Sequence, residues 1–185
     1  MKLLAFSASV RTGSYNTKLI RLIARKLTAQ GVAVDLADFH EFDMPLYDGN
    51  LEATDGVPEG ARKLAERIRA ADGMVVSSPE FNHGVAAPLK NAVDWLSRIK
   101  PPPTVNKPYF IASAAPSMVG GWRGAIALMP SLTYLGMWVA PDTFCLAQAN
   151  KAFTEDGGLV DAALDQMLDR MLGNFVRAVN ALDFS

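Results

Sequence analysis

Cysteine is almost absent: one, Cys145, stands in 185 residues. That excludes a disulfide framework, a CxxC redox pair and an iron–sulfur cluster held by the chain's own thiolates. Its surroundings, Asp142-Thr143-Phe144-Cys145-Leu146-Ala147, are those of a buried, inert thiol. An excess of charge is lacking too, since 18 Lys and Arg stand against 19 Asp and Glu, a formal net charge of −1. Nucleic-acid binders show a basic face or a raised pI, so no nucleic-acid partner is expected. Equally missing is the strong acidity that steers an electron carrier towards a partner. No apolar run approaches the roughly 18 residues that cross a bilayer, so no membrane insertion is expected. The N-terminal apolar run is about five residues long with no cleavage region behind it, unlike a secretory signal, and the expected location is cytoplasmic. Neither GxGxxG nor GxxxxGKS/T occurs, which removes the dinucleotide fingerprint and the P-loop.

What is present is an alternation. Half of the residues are hydrophobic and a fifth charged, ordinary for one soluble domain, here expected over residues 1–185. Lys2-Leu3-Leu4-Ala5-Phe6 is a short apolar run of strand length, followed by Leu19, Ile20, Ile23 and Leu27 at helical spacing. Residues 32–38 read as a second strand. Residues 39–57 are irregular and too long for an ordinary connection, so they are expected to cover a site or a partner. Pro58 opens a helix with Ala61, Leu64, Ala65, Ile68 and Ala71 as its apolar stripe. Residues 73–78 form a third strand, apolar enough to be buried on both faces. A helix over residues 86–99 ends at Lys100-Pro101-Pro102-Pro103. Residues 108–114 are a fourth strand. A helix over 122–135 contains Pro130 and is expected to kink or break there. The fifth strand, within 137–147, is interrupted by Pro141 and reads as an edge strand with a bulge or insertion. In the last helix Val160, Leu164, Met167, Leu168, Met171, Phe175 and Val179 share a face.

Strands alternating with helices predict an α/β fold with a doubly wound, five-stranded parallel sheet in order 2-1-3-4-5 and helices on both faces. Ligands of such sheets sit beyond the carboxyl ends of the strands, where the loops after strands one, three and four converge. The first of these, residues 7–16, carries four hydroxyl side chains before Tyr15, with one Arg and one Gly. A helix starting near Ser14 aims its free N–H groups into that loop, and Ser9, Arg11, Ser14, Asn16 and Thr17 supply the donors of a phosphate site. The plain alternative is a polar connection with Ser14 or Asn16 as an N-cap.

The first loop, Ala8-Ser9-Val10-Arg11-Thr12-Gly13-Ser14-Tyr15-Asn16, resembles the G-S-x-R-x-x-S-x-N loop of the NAD(P)H-dependent FMN reductases, with Ala8 where the family has Gly. Pro79-Glu80-Phe81-Asn82-His83-Gly84 and the following Pro88-Leu89-Lys90-Asn91-Ala92-Val93-Asp94-Trp95 resemble that family's second signature. The resemblance covers nearly the whole chain and implies a flavodoxin-like fold. It implies that Ser9, Arg11, Ser14 and Asn16, with amides near Tyr15 and Thr17, hold the FMN phosphate. The loop of Pro79, Glu80, Phe81, Asn82, His83 and Gly84 then lies along the flavin ring. The third loop, Ala115-Pro116-Ser117-Met118-Val119-Gly120-Gly121, keeps the family's Gly-Gly but departs upstream; Ser117 and Gly120 are its candidate contacts.

The implied activity is hydride transfer from NADPH or NADH to a bound FMN, then electrons to a small-molecule acceptor: a quinone, flavin, azo dye, nitroaromatic or metal ion. No side chain is required as a catalytic base and no metal is expected. Glu80 and His83 are expected to position the loop. The resemblance further implies a homodimer or homotetramer. Two other readings stay open on the sequence, a non-enzymatic flavodoxin-type electron carrier and a flavin-free anion-binding protein.

Overall fold

The computed structural model describes residues 1–182. Five parallel strands make the main sheet: β1 (Lys2–Ser7), β2 (Ala33–Ala37), β3 (Gly73–Ser77), β6 (Pro108–Ala114) and β7 (Trp138–Leu146). They lie in the order β2-β1-β3-β6-β7, the expected doubly wound order. A two-stranded antiparallel hairpin, β4 (Glu80–Phe81) and β5 (Gly84–Val85), is separate from this sheet.

Alternation along each strand divides the core. Leu4, Phe6, Met74, Val76, Tyr109 and Ile111 face α3 (Glu59–Arg69), α4 (Ala87–Leu96) and α5 (Trp122–Tyr134). Leu3, Ala5, Val75, Phe110 and Ala112 face α1 (Tyr15–Ala29) and α7 (Ala162–Ala181), which the short α6 (Ala149–Ala152) precedes. Helices therefore cover both faces, as a sheet with two apolar faces requires. The register brings Ser7 level with Ser77, and Ser77 level with Ala112. The first three loops of interest consequently leave the sheet from one edge, side by side.

Several expectations need correction. Residues 39–57 are not structureless: they hold a 3₁₀ turn (Phe39–Phe42) and α2 (Gly49–Asp55). Phe39 stacks on Phe6 at 5.5 Å, and Phe42 meets both rings edge-on. The segment between is fastened to α4, whose Asn91 accepts from the Tyr47 amide at 2.8 Å. Asn91 and Trp95 both donate to the Pro45 carbonyl, at 2.9 and 2.8 Å. Helix α5 does not break at Pro130. Proline there cannot donate to the Ile126 carbonyl, but both residues lie on the exposed face, where water can take up the lost bond. The bulge in the fifth strand is present: Tyr109 pairs with Val139 and Ile111 with Thr143, leaving the extra residues around Pro141 on the sheet's edge strand. Val160 is not part of the last helix's apolar face. It lies exposed before the N-cap Asp161, and Leu172 joins Leu168, Phe175 and Val179 among the buried residues instead.

Candidate functional site

Ser14 caps α1, its Oγ accepting from the Asn16 amide at 3.2 Å. The amides of Tyr15 and Thr17 donate to no acceptor among the described residues, so two N–H groups of the first turn point into the loop with the positive end of the helix dipole behind them. The Arg11 side chain is exposed and unpaired among the described residues, and the half-buried Ser9 hydroxyl accepts only a long 3.4 Å bond from the Arg11 amide. A guanidinium, two hydroxyls and two free amides around one concavity suit a phosphate dianion, because each donor offsets part of its desolvation.

Asn16 has a structural role that the sequence did not show. It is 3 % exposed, and its amide is spent inside the protein. Nδ2 donates to the Ala114 carbonyl at 3.0 Å, while Oδ1 accepts from the Ala114 amide at 3.0 Å and the Ser77 hydroxyl at 2.9 Å. One side chain thus ties the start of α1 to the carboxyl ends of β3 and β6, and holds the first loop in register with the others. It positions the site, with its Oδ1 and one of its two Nδ2 hydrogens committed to β3 and β6.

The second loop follows Pro79, whose carbonyl accepts from the Ser78 hydroxyl. Asn82 (φ 49°) and His83 (φ 64°) both occupy the left-handed region at the tip of the hairpin, the geometry of a two-residue I′ turn. Their amides have no acceptor among the described residues. Phe81, Asn82 and His83 are exposed. A Cβ on Gly84 would meet the Phe81 carbonyl at an ordinary 3.5 Å. The Glu80 carboxylate is occupied: Oε2 accepts from the amides of Arg123 (3.0 Å) and Gly124 (3.2 Å), at the N-terminus of α5. It braces the hairpin against that helix, the positioning role expected of it.

In the third loop Gly121 (φ 89°) precedes α5, and a Cβ on it would fall 2.0 Å from Ser113 Oγ. Gly120, offered as a ligand contact, also packs closely against the end of β7. A Cβ on it would lie 2.7 Å from the Ala147 nitrogen and the Leu146 carbonyl carbon, and its own amide donates to the Ser117 carbonyl. It fits the loop onto β7. Ser117 is exposed, with its carbonyl also accepting from the Gln148 amide at 3.1 Å.

Burial and the negative charge of Glu80 push the Cys145 thiol up to about 11, in keeping with an inert thiol. Among the described residues no group of His, Cys, Asp and Glu comes together as a metal site, and no helix is long and apolar enough to cross a membrane.

The sequence reading missed Lys18, Arg21 and His40, which line one cleft of about 420 Å³ with Ser9, Arg11 and Ser14. The spacing of Ser14, Thr17 and Arg21 at i, i+3 and i+7 was the available signal for Arg21. Asp38 with Glu41 likewise spelled the capping box that fixes His40 at the end of β2.

Set against known proteins, residues 1–151 match the family model described as NADPH-dependent FMN reductase. The chain is 32% identical over 184 residues to a quinone reductase of Escherichia coli K12, covering 97% of each chain. It is 32% identical over 173 residues to an NAD(P)H-dependent FMN reductase of Pseudomonas aeruginosa, covering 93% of this chain and 91% of that one. Among solved structures, the flavoenzyme NAD(P)H:(acceptor) oxidoreductase FerB of Paracoccus denitrificans superposes with a TM-score of 0.83 at 24% identity, covering 97% of each chain. An archaeal flavodoxin shares the fold at a TM-score of 0.61 and 13% identity over 97% of this chain and 99% of that one. The fold alone therefore does not separate an enzyme from a carrier.

Proposed function

The chain belongs to the NADPH-dependent FMN reductase family, and from that premise we propose the site residues and the acceptor class of an NAD(P)H-dependent flavin oxidoreductase. Its cofactor is FMN and its co-substrate NAD(P)H; the family and its FMN-reductase and quinone-reductase relatives favour the enzyme over the carrier. The observation that carries the placement of FMN is the pair of free amides at Tyr15 and Thr17, facing the exposed Arg11 and the half-buried Ser9. Those groups hold the phosphate. The free amides of Asn82 and His83 and the exposed Phe81 lie along the ring. When bound, FMN supplies the two-electron chemistry, taking hydride from the nicotinamide and passing electrons to the acceptor.

The chain's own part is to bind, orient and exclude water. Asn16 and Glu80 keep the three loops in one geometry, so the donors are in place before any ligand arrives. Backbone N–H groups stabilise negative charge on a reduced ring without gaining or losing a proton. His83 acts through its amide, and no side chain is assigned as a base.

The acceptor is a small molecule, and the quinone-reductase relatives point to quinones first. A homodimer or homotetramer belongs to the same proposal, supported by the exposed apolar side chains of Phe81, Trp122 and Ile126 on the hairpin and α5; size-exclusion chromatography with light scattering checks it. So does a cytoplasmic location, where NAD(P)H is at hand. Steady-state oxidation of NADPH and NADH by the yellow holoprotein, with a quinone as acceptor, tests the function. Turnover with either nucleotide supports it; none with either, across several acceptor classes, rejects it in favour of the carrier.

A further inference from the structure

The cleft beside the phosphate loop extends past what one phosphate needs. Its inner end is the Ser9, Arg11, Ser14 and Thr17 cradle. From there it runs along α1 to Lys18 and Arg21 and is closed opposite by Leu36, Phe39 and His40 at the end of β2. Arg21 is exposed and has no ion-pair partner among the described residues. The one carboxylate in the wall, Asp38, is turned to His40: its Oδ1 accepts from the His40 amide at 3.0 Å and meets Nδ1 at 2.8 Å. That contact holds the Asp38 carboxyl below the usual carboxylate range, with Arg21 a further cause, and raises the His40 imidazole above its ordinary value. The outer cleft thus carries the positive charge of Arg21, with His40 in its wall and Lys18 at its edge, its ammonium 5.9 Å from the ring centroids of Tyr15 and Phe153, beyond the charge of Arg11 that the FMN phosphate takes up.

Phe39 and His40 are also one wall of a second, largely apolar groove of about 640 Å³. That groove passes Val10 and reaches Ala87, Pro88 and Asn91 at the start of α4, just after the ring-side hairpin. The apolar groove and the cationic cleft therefore adjoin across Phe39 and His40, an apolar surface for a base or ribose next to a cationic one for a phosphate.

We propose that this outer cleft takes the 2′-phosphate of NADPH, held by the Arg21 guanidinium, and so sets the preference for NADPH over NADH. The 2′-phosphate is the only chemical difference between the two nucleotides. A guanidinium held at a cleft wall recognises a dianion in bidentate fashion. The inference rests on the reading of the chain as an NAD(P)H-dependent flavin oxidoreductase.

The test is Arg21→Gln in the FMN-loaded protein, with both nucleotides and with two adenosine phosphates as non-reacting probes. The expected result is a rise of about tenfold in the KM for NADPH, the effect of losing one charged hydrogen bond at a solvent-facing site, with less than about a twofold change for NADH. Binding of 2′,5′-ADP weakens by a similar factor and binding of 5′-AMP does not. Circular dichroism and bound FMN per chain should match the wild type. Equal changes for both nucleotides, no change for either, or loss of FMN from the variant would each overturn the inference, the last by assigning Arg21 to the cofactor's own phosphate. If the wild type oxidises NADPH and the variant keeps its preference, the inference alone falls. If the wild type oxidises neither nucleotide, both it and the functional reading fall.

Discussion

The first loop and the two loops facing it divide the work in opposite ways. In the first, Ser9 and Arg11 leave their side-chain donors open, while Ser14 caps α1 and Asn16 ties the loop to β3 and β6. In the second and third, the polar side chain of Glu80 and the glycines at 120 and 121 serve packing, and what stays free is backbone at Asn82 and His83. A phosphate is small, doubly charged and fixed in shape, so converging side chains can select it. A flavin ring is broad and planar, with its polar atoms along an edge, and a hairpin tip with two free amides suits that edge better. Substitution should therefore remove function in the first loop and remove order in the others.

The sharpest way to break this contrast is at Asn16, the residue that joins the regions. Asn16→Ala strands the Ser77 hydroxyl and both backbone groups of Ala114, each fully or nearly buried. At about 1–3 kcal/mol for each unpaired buried group, the loss of stability should reach about 3 kcal/mol or more, read from urea unfolding. A cost below 1 kcal/mol would return Asn16 to the ligand. Next, Arg11→Ala should weaken FMN binding by about 1.5–3 kcal/mol while leaving the unfolding midpoint of the apoprotein within error. Glu80→Ala takes the carboxylate from the start of α5 and should cost about 0.5–2 kcal/mol of stability, the range for loss of a helix N-terminal cap. Smallest of all, His83→Ala should keep turnover within about tenfold, since only its amide is used. A loss of several hundredfold would give the imidazole an acid–base role and end the contrast between side-chain and backbone loops.

Much of this was legible in the chain because it is local. Ser14 as a cap, the apolar face of α1 and the alternation of strands with helices all follow from neighbours within one or two turns. Pro141 signalled the bulge because proline lacks a ladder donor. What escaped depends on distance or on silence. The partners of Asn16 lie 61 and 98 residues away, so the sequence shows an amide among hydroxyls and nothing of where it points. Helix α2 buries no residue and so left no apolar period to read. Asn82-His83 makes a two-residue turn without the glycine that usually marks one, so the β4–β5 hairpin read as plain loop. Pro130 misled in the other direction, because its missing bond falls on the wet side of α5.

The central claim is that the first loop binds the phosphate and the others do not. Titration of the apoprotein with FMN and with riboflavin, in the wild type and in Arg11→Ala, tests it most directly. The account predicts that the wild type binds FMN far more tightly than riboflavin, and that Arg11→Ala narrows the gap by about 1.5–3 kcal/mol while barely changing the affinity for riboflavin. Equal weakening of both ligands, or a gap that Arg11→Ala leaves untouched, would contradict it.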